Sequence, residues 1–289
     1  MTLPPFDLHR PESVEEATGL LDRYGEDAAL YCGGTELLLL LKLGFASFGH
    51  LVDLKGVEEL RGVRAEDGAL VIGAAATHRE LERSQRVREA LPAFAAMERG
   101  VANVRVRNMG TLGGNLCFSD PRSDPATFLL AVDGELECRR GGSPARRIPV
   151  SEFLVGPYQT ALEPGEVLTS IFVPVPPAGA VVIHEKFAFY ERPTATVTCL
   201  VRAQHGELAD VRIAVGSVGP RPSRAREAEE RVAGAAVGEL DGDLLDEAAI
   251  LAAEASGAVD DATGSADYKA DLVRVLVTRC LRRAVGSAS

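Results

Sequence analysis

Apolar positions in the first 55 or so residues alternate between helical and strand spacing. They recur at helical intervals from Val14 to Tyr24, which predicts a helix. Ser13 and Glu16 have the spacing of a capping box and mark its start. The apolar stretch 28–31 predicts a buried strand, 36–43 predicts a second helix, and 50–54 predicts another strand. We therefore expect a small α/β unit over residues 1–56.

From residue 57 onward, short apolar segments such as 70–72 are mixed with helical stretches around 80–88 and 92–98. A cluster of proline and glycine at 174–179 is typical of a linker. The pattern predicts a larger α+β unit over residues 57–176.

Beyond this linker, three strands are predicted at 181–190, 197–203 and 211–218, with a hairpin turn at His205-Gly206-Glu207. The final helix is predicted to carry one apolar stripe, with Lys269 and several arginines outside it; the stripe consists of Leu272, Val273, Leu276, Val277, Cys280, Leu281 and Ala284. We expect a third unit over 177–289, a three-stranded sheet with helices.

Composition narrows the class of protein. The chain has 289 residues, 46% hydrophobic and 25% charged, with a mean hydropathy of +0.04, which is typical of a globular protein and excludes disorder. Its longest apolar block, 37–41, is far shorter than the roughly 20 residues of a membrane-spanning helix, so we expect no membrane span. The net charge of −11, without a dense basic run, argues against nucleic acid as a partner.

The five cysteines, at positions 32, 117, 138, 199 and 280, are scattered and odd in number. No Cys-x-x-Cys pair is present to hold zinc or an iron–sulfur cluster, so we expect no metal site. Such cysteine usage is typical of a reducing cytoplasm.

Two glycine-rich segments carry the candidate chemistry: Cys32-Gly33-Gly34-Thr35-Glu36 and Thr111-Leu112-Gly113-Gly114-Asn115. Glycine lets a ligand approach backbone N–H groups closely, so such loops can bind an anion, although a strand-to-helix turn also uses glycine for geometry alone. Two such loops suggest a ligand with two adjoining phosphates, such as a dinucleotide. Neither is the Gly-x-Gly-x-x-Gly fingerprint, and no P-loop is present.

These segments resemble a known family. The run 103–116, followed by Asp120-Pro121 and Asp124, resembles the second FAD-binding motif of the medium subunit of molybdenum hydroxylases, and 32–38 resembles the first. The likeness continues in the same order through 156–162, 165–168, 185–187 and 268–272. The family includes the flavin subunits of carbon monoxide dehydrogenase and bacterial xanthine dehydrogenase.

The resemblance implies an α+β, two-lobed FAD-binding fold of the vanillyl-alcohol oxidase or PCMH type, followed by the C-terminal three-stranded sheet with helices. It also implies that residues 33–36 surround the FAD pyrophosphate and that 113–115 approach from the other side. Hydroxyls at the loop edges would donate to phosphate oxygens. The residues concerned are Gly33, Gly34, Thr35, Glu36, Thr111, Gly113, Gly114 and Asn115. Cys32 replaces the usual alanine, and we interpret it as a small apolar filler.

Three further positions match cofactor contacts of the family. Asp124 matches an acidic residue that hydrogen-bonds FAD, although Ser123-Asp124-Pro125 is also an ordinary helix start. Leu168 matches a backbone contact to the flavin ring, or is a plain core strand residue. Lys186 matches a lysine near the pyrimidine end of the flavin, whereas a lone strand lysine is usually solvated.

The function implied is that of an FAD-binding electron-transfer subunit of an oxidoreductase, with no catalytic residue of its own for the hydroxylated substrate. Electrons would come from [2Fe-2S] clusters in a small subunit, after hydroxylation at a molybdopterin cofactor in a large subunit, and pass to NAD, oxygen or a quinone. Relatives assemble as dimers of heterotrimers. Phe189-Tyr190, Pro193 and Val101 depart from the family pattern, so a stand-alone FAD-dependent oxidoreductase acting on a small metabolite is the alternative.

Overall fold

The computed structural model describes residues 2–288, so residues 1 and 289, the outer ends of the first and third predicted units, lie outside the described range. The first part of the chain is a parallel sheet in the order β1-β3-β2. Its elements are β1 (Asp7–His9), α1 (Val14–Tyr24), β2 (Ala28–Tyr31), α2 (Leu37–Leu43) and β3 (His50–Asp53). Ser13 caps α1 as predicted, but the Glu16 carboxylate accepts from the N–H of Glu12, so only half of the capping box forms.

The middle part is built on an antiparallel sheet in the order β4-β5-β10-β6-β7. Its elements are β4 (Val63–Glu66), β5 (Ala69–Gly73), α3 (His78–Arg83), α4 (Gln85–Ala90), α5 (Pro92–Arg99), α6 (Val104–Met109), α7 (Leu112–Phe118), α8 (Asp124–Ala131), β6 (Glu135–Arg139), β7 (Arg146–Pro149), α9 (Val150–Phe153), β8 (Leu154–Gly156), β9 (Gln159–Thr160) and β10 (Val167–Pro174).

Two predictions for this part need correction. The helical stretch at 80–88 is two helices, because Ser84 ends α3 and caps α4 by accepting from the N–H of Val87. The second glycine segment is not a loop: Thr111 is the N-cap of α7, and the glycines lie in its first turn.

The last part is a sheet in the order β11-β12-β13-β14, covered by helices. Its elements are β11 (Ala180–Phe187), β12 (Ala195–Gln204), β13 (Glu207–Gly216), β14 (Ser223–Arg224), α10 (Arg226–Val232), α11 (Gly242–Ala255) and α12 (Ala266–Ala288). The three predicted strands are thus joined by a fourth of two residues. The predicted hairpin turn joins β12 to β13, with positive φ at His205 and Gly206.

Alternation along β12 explains how the last part joins the middle one. Val197 and Cys199 belong to the core beneath α11 and α12, whereas Leu200 packs with the core of the middle part. Helix α8 lies against this second face and is buried along its whole length. The Thr127 and Thr196 hydroxyls meet there at 3.1 Å. Because α8 begins at Asp124, this packing brings Asp124 close to β11.

Lys269, which the stripe of α12 predicts to lie outside the core, is fully buried. Its ammonium donates to the carboxylate of Asp261 at 2.8 Å and to the Val259 carbonyl at 2.9 Å. A buried ammonium requires such partners, and both come from the segment just before the helix.

Candidate functional site

A cleft of about 340 Å³ opens where the three parts of the chain meet. The first part contributes residues 32–37, the middle part contributes α7, the start of α8 and β10, and the last part contributes residues 191–193. Of the twelve predicted cofactor-binding residues, all except Lys186 line it. Segments more than half the chain apart are therefore brought together as one site.

The first glycine segment connects β2 to α2 and passes close to the second motif. Gly34 has φ of +69°, which favours glycine, and an added Cβ at Gly33 would lie 2.5 Å from the Met109 carbonyl oxygen. Within residues 2–288, no acceptor is found for the backbone N–H groups of residues 33–36. Four successive free donors at the edge of a cleft form a concave anion-binding site.

The second motif differs because its backbone donors already have acceptors. The N–H groups of Leu112 and Gly113 donate to the carbonyls of Ala76 and Ala74, both at 3.0 Å. The N–H of Gly114 donates to the Thr111 hydroxyl at 3.1 Å. The expectation that these glycines present amides to a pyrophosphate is therefore revised: their N–H groups hold α7 in place.

The second motif contributes side chains, rather than backbone N–H groups, to the cleft. The Oδ1 atom of Asn115 accepts from the Ser123 hydroxyl at 2.5 Å, which leaves its NH₂ group directed elsewhere. The Thr111 hydroxyl interacts with the Cys32 thiol. Burial raises the pKa of Cys32, and this bond only partly opposes the effect, so Cys32 is a protonated thiol in a packed turn, consistent with a filler.

Asp124 lies at the bottom of the cleft and is 4% exposed. Lys186 donates to its Oδ2 at 2.9 Å, and the His184 Nε2 atom is 3.6 Å from its Oδ1. Burial alone would raise the pKa of Asp124, but His184 and Lys186 outweigh it, so the pKa is lowered and the carboxylate stays ionised. Oδ1 is buried and has no hydrogen-bond partner within residues 2–288, so it can accept from a ligand.

Lys186 sits behind Asp124 and does not line the cleft. Its ammonium also donates to the Gly100 carbonyl, and it borders a separate cavity of about 720 Å³ between α5 and β11. Lys186, which the resemblance places near the pyrimidine end of a flavin, thus contacts Asp124, a residue that does line the cleft. His184, two residues before Lys186 on the same face of β11, is drawn into the same cluster.

Leu168 is a buried residue of β10 and lines the cleft next to an irregularity in the strand. The register with β6 shifts between Leu168 and Ser170, which marks a β-bulge. Bulges reorient the backbone and occur often beside active sites. The strand backbone at Leu168 therefore departs from regular pairing at the cleft wall.

Sequence reasoning missed the role of the segment 191–193. Arg192 pairs with Glu36 at 3.0 Å and with Asp120, and so it links the first glycine segment to the turn after α7. Glu191 accepts from the Asn103 side chain at 2.8 Å. The available signal was the unusual sequence of this segment, but its partners are separated by up to 156 positions.

Comparison with known proteins identifies the class of site. The family model for the FAD binding domain in molybdopterin dehydrogenase matches residues 4–176, and that for the CO dehydrogenase flavoprotein C-terminal domain matches residues 191–284. The chain belongs to this molybdopterin dehydrogenase flavoprotein family. It is an FAD-binding subunit of the molybdenum hydroxylase type, as the motifs predict.

Individual members of the flavoprotein family match along most of the chain. The carbon monoxide dehydrogenase medium chain of Afipia carboxidovorans is 34% identical over 285 residues, covering 98% of each chain. A xanthine dehydrogenase FAD-binding subunit of Escherichia coli is 34% identical over 229 residues, covering 77% of each. A solved carbon monoxide dehydrogenase of Hydrogenophaga pseudoflava has a TM-score of 0.95 at 35% identity and covers 100% of each chain, which confirms the predicted fold.

The cleft fits the cofactor of this flavoprotein family. The free N–H groups of residues 33–36 suit a diphosphate, and the unpartnered Oδ1 of Asp124 suits a hydroxyl or N–H donor of the cofactor. Apolar walls for its aromatic rings come from Leu30, Leu54, Leu60 and Val167. Across residues 2–288, no group of three or more His, Cys, Asp or Glu side chains is arranged to hold a metal ion. No helix of this range is long and apolar enough to cross a membrane.

Proposed function

We propose that this chain is the FAD-binding electron-transfer subunit of a molybdenum-containing hydroxylase or dehydrogenase. It would accept electrons from the [2Fe-2S] clusters of a small subunit and pass them to NAD, oxygen or a quinone. The observation that carries the proposal is the run of four free N–H donors at residues 33–36, set in a cleft of a chain that matches this family over both of its domains.

Twelve residues are proposed to hold or support the FAD, and they do so as donors, as an acceptor or by packing. Residues 33–36 donate N–H groups to the diphosphate, and Thr35, Thr111 and Asn115 supply side-chain donors. Gly113, Gly114, Cys32 and Leu168 form the close-packed wall. Asp124 accepts from the cofactor through Oδ1, and Lys186 keeps that carboxylate ionised from behind.

When bound, FAD supplies one- and two-electron redox chemistry, and the protein supplies binding, orientation and electrostatics. The ion pair of buried Asp124 and partly exposed Lys186 places a fixed dipole next to the cleft. Segment 191–193 forms part of the wall of the cleft. None of these groups needs to touch the substrate of the complex.

The partners are proposed to be an iron–sulfur small subunit and a molybdopterin-binding large subunit, assembled as a dimer of heterotrimers. The five cysteines of this chain are unpaired thiols, which agrees with a reducing cytoplasm. We also propose three folding units, at 1–56, 57–176 and 177–289, each built around one main sheet.

The test is the composition of the protein purified under mild conditions from its source organism through a tag on this chain. We expect one FAD per chain, together with iron and molybdenum carried by co-purifying subunits. Dissociating these subunits should remove the metals and leave the flavin with this chain. A chain that lacks flavin and does not take up FAD would contradict the proposal.

The alternative is a stand-alone FAD-dependent oxidoreductase. The observation that favours it is that the unusual segment 191–193 lines the cleft itself, where a different small molecule could be recognised. In that case the purified chain would contain FAD without iron or molybdenum, and a small metabolite would bleach the flavin of the isolated chain directly.

A further inference from the structure

A buried histidine and glutamate meet at the edge of the cleft, and no motif accounts for them. The His78 Nδ1 atom lies 2.6 Å from Oε2 of Glu98, and the two side chains are 3% and 0% exposed. This short distance is that of a strong hydrogen bond between a ring nitrogen and a carboxylate oxygen. His78 lines the cleft, whereas Glu98 lies behind it.

The backbone fixes His78 against the second FAD motif. Its N–H donates to the Gly110 carbonyl at 3.0 Å, and Thr77 forms an isolated β-bridge with Thr111. Thr77 also caps α3 through a complete capping box with Glu80. The position of the imidazole is therefore determined from both sides, which is a requirement for a preorganised binding group.

Gly110 reveals what the imidazole faces. A Cβ added there would lie 3.3 Å from Cδ2 of His78 and 3.6 Å from the Thr35 hydroxyl oxygen. His78 and the first glycine loop thus flank one small space above Gly110, which any larger residue would fill. The Nε2 atom, adjacent to Cδ2, has no hydrogen-bond partner anywhere in residues 2–288.

The cleft around this space is rich in carboxylates, so a diphosphate bound there would need additional hydrogen-bond donors. Four carboxylates and two arginines line the cleft: Glu36, Asp120, Asp124, Glu191, Arg122 and Arg192. Arg192 is already paired with Glu36 and Asp120, and Arg122 has no ion pair within residues 2–288. A diphosphate entering such a site needs positive charge beside the amide donors. Nε2, next to Cδ2 on the ring, faces this space and can contribute a donor to it.

We propose that His78, positioned by Glu98, is a further cofactor-binding residue that donates from Nε2 to the diphosphate of FAD, opposite the free amides of the first loop. This inference rests on the proposed binding of FAD. Glu98 is a positioning residue, because it acts only through His78.

The test compares FAD binding by the wild-type full chain, the Glu98→Gln variant and the double variant His78→Phe/Glu98→Leu. The double variant removes both partners, so no charge is left buried and unpaired, and the fold is expected to survive. Loss of a hydrogen bond to a charged group should raise the dissociation constant of FAD about 10-fold or more in the double variant. His205→Gln, in the exposed hairpin turn, should leave it unchanged.

A second readout separates a phosphate contact from a merely structural role. The ³¹P NMR resonances of bound FAD should shift in Glu98→Gln and in the double variant, whereas the visible absorption spectrum of the bound flavin should keep its wild-type shape. Binding of FAD by the double variant within 2-fold of wild type, or a changed flavin spectrum with unchanged ³¹P resonances, would overturn the inference and leave the proposed function intact. Failure of the wild-type chain to bind FAD would instead refute the proposed function.

Discussion

The two glycine motifs of the cleft look alike in sequence and differ in structure. In the first, residues 33–36 keep four N–H groups without acceptors. In the second, Gly113 and Gly114 use theirs to fasten α7, and an added Cβ at Gly113 would lie 2.6 Å from Cβ of Ala74. The first motif is a binding surface, and the second is a joint between a helix and a strand.

This difference teaches that a glycine pair can serve a ligand directly or only through the packing that places other groups. The side chains of Thr111 and Asn115 reach the cleft because Gly113 lets α7 lie directly on the end of β5. Substitutions should therefore affect FAD affinity in the first motif and protein stability in the second.

The largest effect is expected where the motifs touch. In Gly33→Ala the new Cβ meets the Met109 carbonyl oxygen at 2.5 Å and Gly110 Cα at 2.7 Å, and neither backbone atom can rotate away. The first loop must move, so the dissociation constant of FAD should rise roughly 10- to 100-fold, as a strain of a few kcal/mol implies. Fluorescence titration measures it. Gly56→Ala, where the added Cβ meets nothing within 4 Å, is the control and should bind normally.

Gly113→Ala should act on stability instead. Its Cβ meets the backbone of Ala74 at the end of β5, and overpacking of this kind lowers the free energy of unfolding by roughly 1–3 kcal/mol. Denaturant titration of the chain without FAD measures this loss. Gly19→Ala is a matched helical control, because its Cβ meets nothing within 4 Å. Normal stability with a large loss of FAD affinity would contradict the assignment of Gly113 to packing.

The contrast between the motifs also explains what the sequence could predict. Local rules sufficed for α1, whose cap and apolar spacing are contiguous, and for the strand-to-helix turn at residues 33–36. They failed for α7, because glycine has low helix propensity and the carbonyls of Ala74 and Ala76 that stabilise its first turn come from a distant segment. The pairing of Arg192 with Glu36 and the burial of Lys269 likewise depend on tertiary contacts.

A smaller effect is expected at the cap of α7. Thr111→Val removes the hydroxyl that accepts from the Gly114 N–H, and loss of an N-cap lowers the free energy of unfolding by about 1 kcal/mol. Thr111→Ser keeps the cap and should restore most of this stability in thermal unfolding. If the valine variant were as stable as wild type, the Gly114 N–H would not need the Thr111 hydroxyl as its acceptor, and the second motif would resemble the first, whose N–H groups have none.

The smallest effect concerns two cysteines near the motifs: Cys32 belongs to the first, and Cys117 follows the second on α7. Burial raises the pKa of Cys117 to about 12, whereas for Cys32 the bond with Thr111 partly opposes the rise caused by burial. Because the thiolate is the reactive form, both cysteines should react slowly with iodoacetamide at pH 8, Cys117 more slowly than Cys32, and both faster as the pH rises. Mass spectrometry of the folded chain measures the rates, with the exposed position of a Ser47→Cys variant as the reactive control. Thr111→Val should slow Cys32 further and leave Cys117 unchanged. Equal slowing of both would mean that the substitution had altered the packing of the whole cleft, and not only the contact between Cys32 and Thr111.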